Sequence, residues 1–368
     1  MANIEQQIAD VEAEISKTEY NKATQQHIGR LKAKLSRLKG EAEKRAAART
    51  GGGRAFAVKK TGHATAALIG LPSVGKSTLL NKLTNAQSAV AAYEFTTLDV
   101  IPGLLYHRHA EIQILDLPGI IRGAAQGRGR GREVIAVARA SDLLIFVVDV
   151  YTPDISVLVQ EMRSAGLRLN ERPADIRITK TTKGGIKVRS TVAQKSITAD
   201  YAAALVAEYG MLSADVVIRE PITDEQLIDA LSSNRVYIPA IIALNKIDLA
   251  NPPLVRRAHE VLAGWNMVEV SASRGQGTEK LKDLIYDRMN FLRIYMRPQG
   301  GEADFKEPLL VKSGATVGVV CDLIHRVWRS RFRYALVWGK SARFPGQTVG
   351  LDHVLEDEDI LTVVVRKG

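Results

Sequence analysis

One octapeptide constrains this chain more than any other: Gly70-Leu71-Pro72-Ser73-Val74-Gly75-Lys76-Ser77. It fits G-x-x-x-x-G-K-[ST] and stands between the apolar run "ATAALIG" and the helix-like "STLLNKLT". Strand, tight loop and helix in that order predict a loop whose backbone N–H groups wrap a phosphate. Gly70 and Gly75 allow the close approach. Lys76 reaches the outer phosphates, Ser77 offers a hydroxyl to Mg²⁺, and Leu71, Pro72, Ser73, Val74 and Thr78 complete the contact set.

Further apolar runs follow at intervals: "EIQILDL", "DLLIFVVDV", "YIPAIIALNKID" and "NMVEVSAS". Strands alternating with helices predict an α/β fold with a mostly parallel sheet covered on both faces. Ligands in such sheets bind at the carboxyl ends of the strands. The remaining motifs fall near those ends. In Asn245-Lys246-Ile247-Asp248, the aspartate can accept from N1–H and the 2-amino group of guanine, neither of which adenine offers. Asn245 and Lys246 brace the base and the loop. Ser271-Ala272-Ser273 offers backbone to guanine O6. Asp116 and Gly119, from D-x-x-G, are expected to bind Mg²⁺ through water and to sense the γ-phosphate. In Phe95-Thr96-Thr97, Thr97 is the choice for a second Mg²⁺ hydroxyl and Thr96 its rival. The set predicts a GTP-binding domain using GTP or GDP with Mg²⁺. Catalysis is expected to rest on Lys76, Ser77, Thr97 and Gly119.

One position departs from the common pattern. After D-x-x-G, Ras-type proteins often place a glutamine that orients water; here stands Ile120. Catalytic help must come from elsewhere. Candidates are a monovalent cation near the first switch, or Arg122, Arg128, Arg130 and Arg132 in "RGAAQGRGRGREV". That run reads either as a second switch supplying an arginine or gripping RNA phosphate, or as a flexible loop with solubilising charge. Substituting Arg128 or Arg130 is expected to lower stimulated turnover more than basal turnover.

The flanking regions are read separately. Residues 1–50 carry Ile4, Ile8, Val11 and Ile15, then Ile28, Leu31, Leu35 and Leu38, at helical spacing, which predicts a helical hairpin. Arg30, Lys32, Lys34, Arg37 and Lys39 make the second helix basic; nucleic-acid contact and a solvated face are both open. "RTGGGRAF" reads as a linker. The GTPase domain is assigned to 51–166 and 236–290. Residues 167–235 form an inserted α+β subdomain, with a hairpin around Gly184-Gly185 and a capping box at Thr223 and Gln226. Residues 291–368 form a compact α+β module, in which "LEDEDI" reads as a solvated acidic turn. His107 and His109 read as surface residues, and Trp328 and Trp338 as core or partner surface.

The net charge of +11 favours polyanionic partners. Residues 1–60 hold 13 Lys/Arg against 7 Asp/Glu, about half of the excess. Cys321 is the only cysteine, which excludes an internal disulfide and fits a reducing, cytoplasmic compartment. No apolar run approaches the ~18 residues of a membrane span, so no membrane partner is expected.

"YEFTTLDVIPG", "LDLPGIIRGAAQGRGRGREV", "GLRLN", "NRVYIPAIIALNKID" and "LRIYMRPQGGEADFKEPLLV" resemble the developmentally regulated GTP-binding (DRG) proteins of the Obg superfamily. The resemblance runs from the N-terminal hairpin to the C-terminus. It implies a helix-turn-helix-like N-terminus, an inserted S5 domain 2-like fold and a C-terminal β-grasp TGS domain. It also implies a translation-associated GTPase that meets ribosomes or RNA, with a regulatory partner protein in some relatives. A monomer is expected when the protein is free. In several K⁺-stimulated relatives a P-loop asparagine helps hold the ion; here Ser73 takes that place. K⁺-stimulated, slow hydrolysis is the expectation. Two alternatives stay open: an RNA or ribosome adaptor with a structural nucleotide, and a signalling switch unrelated to ribosomes.

Overall fold

A computed structural model describes residues 4–19, 21, 24–49, 61–84, 101–117, 131–232 and 234–366. Phe95, Thr96, Thr97, Gly119, Ile120, most of the linker and the arginine–glycine run up to residue 130 lie outside them. Helices α1 (Ile4–Lys17) and α2 (Gln25–Arg49) come first, then β1 (Ala64–Ile69), α3 (Lys76–Leu83), β2 (Ile101–His107) and β3 (Ala110–Asp116). Next are α4 (Gly131–Ala140), β4 (Leu143–Asp149), α5 (Ser156–Ser164), β5 (Leu167–Leu169), β6 (Ile176–Lys180) and β7 (Ile186–Ser190). Then come α6 (Ala199–Glu208), β8 (Ala214–Ile218), α7 (Asp224–Leu231), β9 (Val236–Ile238), β10 (Ala240–Asn245), α8 (Pro252–Val261) and β11 (Met267–Glu269). The chain closes with α9 (Thr278–Met289), β12 (Phe291–Met296), β13 (Leu309–Lys312), α10 (Val317–Ile324), β14 (Phe332–Trp338), β15 (Gln347–Val349) and β16 (Ile360–Val365).

The chain divides into two compact units: residues 58–161 with 238–368, and residues 1–57 with 162–237. The first contains a six-stranded sheet ordered β11-β10-β4-β1-β3-β2. β1, β3, β4, β10 and β11 are parallel. Every residue of β1, β4 and β10 is buried, which is why these segments are continuous apolar runs rather than alternating ones. From β1 the chain fills one side of the sheet, β3 and β2, then returns to β4 on the other. The carboxyl end of β1 therefore lies at a topological switch point.

β2 was not anticipated. Pro102 and Gly103 argue against a central strand, but β2 is an antiparallel edge strand, where proline is tolerated. Its two-residue turn to β3 uses Arg108 (φ 47°) and His109 (φ 66°), both left-handed without glycine. His107 pairs with Asp283 of α9 at 2.9 Å.

The same unit carries the β-grasp module. Its sheet is ordered β13-β12-β16-β14-β15 and packs Ile294, Ala335, Val337 and Leu361 against Val317, Val320 and Cys321 of α10. Leu310 joins the core of the parallel-sheet domain, and Phe291 packs beside Tyr286 at 5.6 Å between ring centroids. Trp328 lies against the module's core, while Trp338 sits under Arg297 at 4.7 Å. The acidic turn is not simply solvated. Asp359 is fully buried and accepts from the backbone N–H of Glu356 and Ser341, and Asp357 pairs with Arg293.

In the other unit, Val11, Leu31 and Leu38 close the α1–α2 hairpin. Ala33 of α2 joins the core formed by α6, α7 and β8. Most of α2's basic face is engaged. Arg30 pairs with Glu208, Lys32 with Glu225, Arg37 with Glu41 and Lys39 with Glu12. Thr223 and Gln226 form the expected capping box. The expected hairpin around Gly184-Gly185 is corrected. β6 and β7 are both strands, but β8 lies between them, antiparallel to β6 and parallel to β7. Alternation marks each strand yet carries no information on its neighbour; α6 supplies the crossover that brings β8 into the gap.

Candidate nucleotide site

The loop after β1 leads into α3, whose N-cap Gly75 has φ 92° and no side-chain cap. No acidic residue occupies the first turn, so the helix N-terminus presents uncapped N–H groups and the positive end of its dipole. A side chain at Gly75 would bring Cβ within 2.4 Å of Asn245 Nδ2, and one at Gly70 within 2.4 Å of the Val147 carbonyl. Close approach therefore fixes both glycines, and at Gly75 the left-handed conformation does so as well. Ser73 is also left-handed, at φ 64°, a conformation asparagine adopts more readily than serine.

Lys76 is folded back into this loop. Its ammonium donates to the carbonyls of Gly70 (3.2 Å) and Leu71 (3.1 Å). Burial pushes its pKa below the ordinary lysine range, and the nearby Asp116 carboxylate only partly opposes that. Asp116, at the end of β3, accepts from the Ser77 hydroxyl through Oδ2. Its other oxygen, Oδ1, is buried with no hydrogen-bond partner among the described residues. A serine hydroxyl beside a carboxylate with a free buried oxygen is a hard oxygen donor set, and it fits Mg²⁺.

Asn245, at the end of β10, ties the site together. Its Nδ2 donates to the Val74 carbonyl (2.8 Å) and its Oδ1 accepts from Ala272 N–H (3.0 Å). One buried amide thus spans the phosphate loop and the Ser271-Ala272-Ser273 loop. Ser271 Oγ accepts from Arg274 N–H (3.2 Å) and shares a hydrogen bond with Ser273 Oγ (3.1 Å). Lys246 is left-handed and its ammonium meets Asp149 Oδ2 at 2.5 Å. The Asp248 carboxylate lies 3.3 Å from Arg274 Nε. Asp149 and Arg274 escaped the sequence reading. Asp149 left a trace, a lone carboxylate ending the apolar run "LLIFVVD"; Arg274 left none.

The carboxyl ends of β1, β3, β10 and the turn after β11 thus gather Gly70–Thr78, Asp116, Asn245–Asp248 and Ser271–Ser273 along one edge of one sheet. The switch residues Phe95, Thr96, Thr97 and Gly119 are not among the described residues.

Comparison with known proteins identifies the domains that carry these residues. A family model described as a 50S ribosome-binding GTPase matches residues 65–180, a model for the C-terminal region of that domain matches 183–291, and a TGS domain model matches 292–365. The Xenopus laevis developmentally-regulated GTP-binding protein 1 is 42% identical, covering 98% of each chain. This chain belongs to the DRG family of GTP-binding proteins. Two other relatives extend the likeness. A GTP-binding protein of Methanocaldococcus jannaschii is 51% identical over 99% of this chain and 93% of its own. The Saccharomyces cerevisiae ribosome-interacting GTPase 1 is 42% identical over 100% of both. DRG membership joins the P-loop domain and the C-terminal TGS module in one chain, as the two matched segments do here. No helix among the described residues is long and apolar enough to cross a membrane.

Proposed function

We propose that this chain binds GTP with Mg²⁺ and hydrolyses it slowly to GDP and phosphate, as a switch used on the ribosome. The observation that carries this is Asn245, whose single amide bonds both the phosphate loop and the loop expected to meet guanine O6. Phosphate and base recognition are thereby built as one unit. Lys76, already desolvated and close to Asp116, is placed to exchange its two carbonyl partners for phosphate oxygens. The first-turn N–H groups of α3 face the same anion. Asp248 is the acceptor for N1–H and the 2-amino group of guanine, with Arg274 displaced when the base arrives. Ser77, Asp116 and Thr97 are the proposed holders of Mg²⁺, which supplies charge neutralisation at the phosphate oxygens. The Gly119 N–H is the proposed γ-phosphate sensor.

No glutamine follows Gly119, so the basal rate rests on positioning and charge. That is the basis for slow turnover, with K⁺ near Ser73 as accelerator. Association with the ribosome is supported by the yeast relative's name and by the net charge of +11. A regulatory protein partner and a cytoplasmic site of action belong to the same proposal.

Phosphate release from GTP by the purified chain tests the chemistry, with Lys76→Ala and Ser77→Ala as controls. Turnover is expected in the parent protein, lost in both variants, and higher in KCl than in NaCl of equal strength. Equal rates in the two salts would remove K⁺; equal rates in parent and variants would remove the site.

A further inference from the structure

The cations of the unit formed by residues 1–57 and 162–237 fall into two populations. Those facing outward from α2 are mostly held in ion pairs, as described above. Those on the three-stranded sheet are not. In that sheet Ile176, Ile178, Ile186, Val188, Val216 and Ile218 point inward to the core shared with α6 and α7. The opposite face therefore carries Arg177 and Thr179 from β6, Lys187 and Arg189 from β7, and Asp215 and Val217 from β8. The register sets them in two rows: Arg177–Val217–Arg189 and Thr179–Asp215–Lys187. Arg177, Lys187 and Arg189 are exposed, and none makes an ion pair or side-chain hydrogen bond among the described residues.

From this face we propose that the outer surface of the β6–β8–β7 sheet is where the chain grips the phosphate backbone of RNA. The inference deepens the ribosome-associated reading above and rests on it. Charge complementarity names the occupant: three cations against one carboxylate, with hydroxyl and methyl groups between. Rows on a sheet repeat at about 6.6–6.8 Å along a strand, and β6 and β7 lie about 10 Å apart across β8, so long side chains can follow successive phosphates. The two arginines offer planar forks suited to phosphate oxygens. The face has no aromatic side chain, so it lacks the means to stack unpaired bases and points to backbone contact. Because these cations are exposed and make no ion pair among the described residues, none of the described ion pairs is broken on binding.

The test uses the full chain, purified ribosomes and a short fluorescent RNA duplex. The combined variant Arg177→Gln, Lys187→Gln, Arg189→Gln is compared with a charge-matched set on the TGS module, Lys306→Gln, Lys340→Gln, Arg343→Gln. The sheet variant is expected to bind duplex and ribosome about tenfold or more weakly at moderate salt. Its slope of log affinity against log salt should flatten by about 2–3. The TGS set should change affinity less, and GDP affinity should hold in both. If the triple variant loses its folded signal, Arg189→Gln alone should flatten the slope by about 1. Unchanged RNA binding in the sheet variant, or equal losses in both sets, overturns the assignment of this face. Binding to phosphatidylserine vesicles in place of RNA also overturns it. A parent protein that binds neither ribosome nor duplex instead removes the ribosome reading, and this face with it.

Discussion

At the scale of single residues, the site depends on a few side chains with two partners each. Asp248 carries the proposed base choice. A carboxylate accepts from both guanine donors; an asparagine presents one donor in place of one acceptor. Asp248→Asn should therefore shift preference from GTP toward xanthosine triphosphate in competition binding, and an unchanged preference would mean the base lies elsewhere. Lys76 makes a pH prediction. Its pKa is lowered in the free protein because burial disfavours the ammonium. An arriving phosphate favours the charged form. Between the lowered value and the ordinary lysine value of about 10.4, the free protein carries less than one proton there and the bound protein carries it. GDP affinity should fall as pH rises through that window. Calorimetry in two buffers of different ionisation enthalpy should show proton uptake in the parent and none in Lys76→Ala. Equal heats in both buffers for the parent would contradict the assignment.

At the scale of elements, legibility followed burial. β1, β4 and β10 are buried on both faces, so their sequences are unbroken apolar runs that stand out. The P-loop and Asn245–Asp248 follow directly from such runs, and their place at strand ends could be read from the chain. β2 hid behind Pro102, Gly103 and a turn built from two left-handed residues that are not glycine. The order β6-β8-β7 was hidden because pairing is a long-range choice, and so were the partners Asp149 and Arg274, distant in sequence from Lys246 and near in space to Asp248 respectively. The insertion holds another unpredicted element contact. Arg168 and Asp229 are both buried, paired through two hydrogen bonds of 2.5 and 2.6 Å, and Arg235 adds a third at 2.8 Å while reaching Ser36 of α2. Asp229→Ala would strand a buried guanidinium, at a cost of about 3–5 kcal/mol. A clear fall in the unfolding midpoint should follow, with GDP affinity at permissive temperature retained. An unchanged midpoint would mean that the pair is solvated in the working protein.

At the scale of the whole molecule, the parallel-sheet domain and the β-grasp module share one compact unit, joined by Leu310, Phe291 and the Lys312–Asp142 ion pair. α1, α2 and the inserted sheet belong to the other unit, whose β6–β8–β7 sheet carries the exposed cations Arg177, Lys187 and Arg189. A protein arranged in this way has its nucleotide chemistry and its proposed RNA contact on separate parts of one chain. Ile120 sharpens what that means for turnover: with no glutamine to orient water, intrinsic hydrolysis should be slow, and a large partner should supply what the isolated chain lacks. The central claim is tested most directly by the rate of phosphate release from GTP with and without purified ribosomes, in KCl, with Lys76→Ala alongside. The expected result is a slow basal rate that rises with ribosomes and is absent from the variant. No phosphate release in either condition, or release equal to that of Lys76→Ala, would contradict the account.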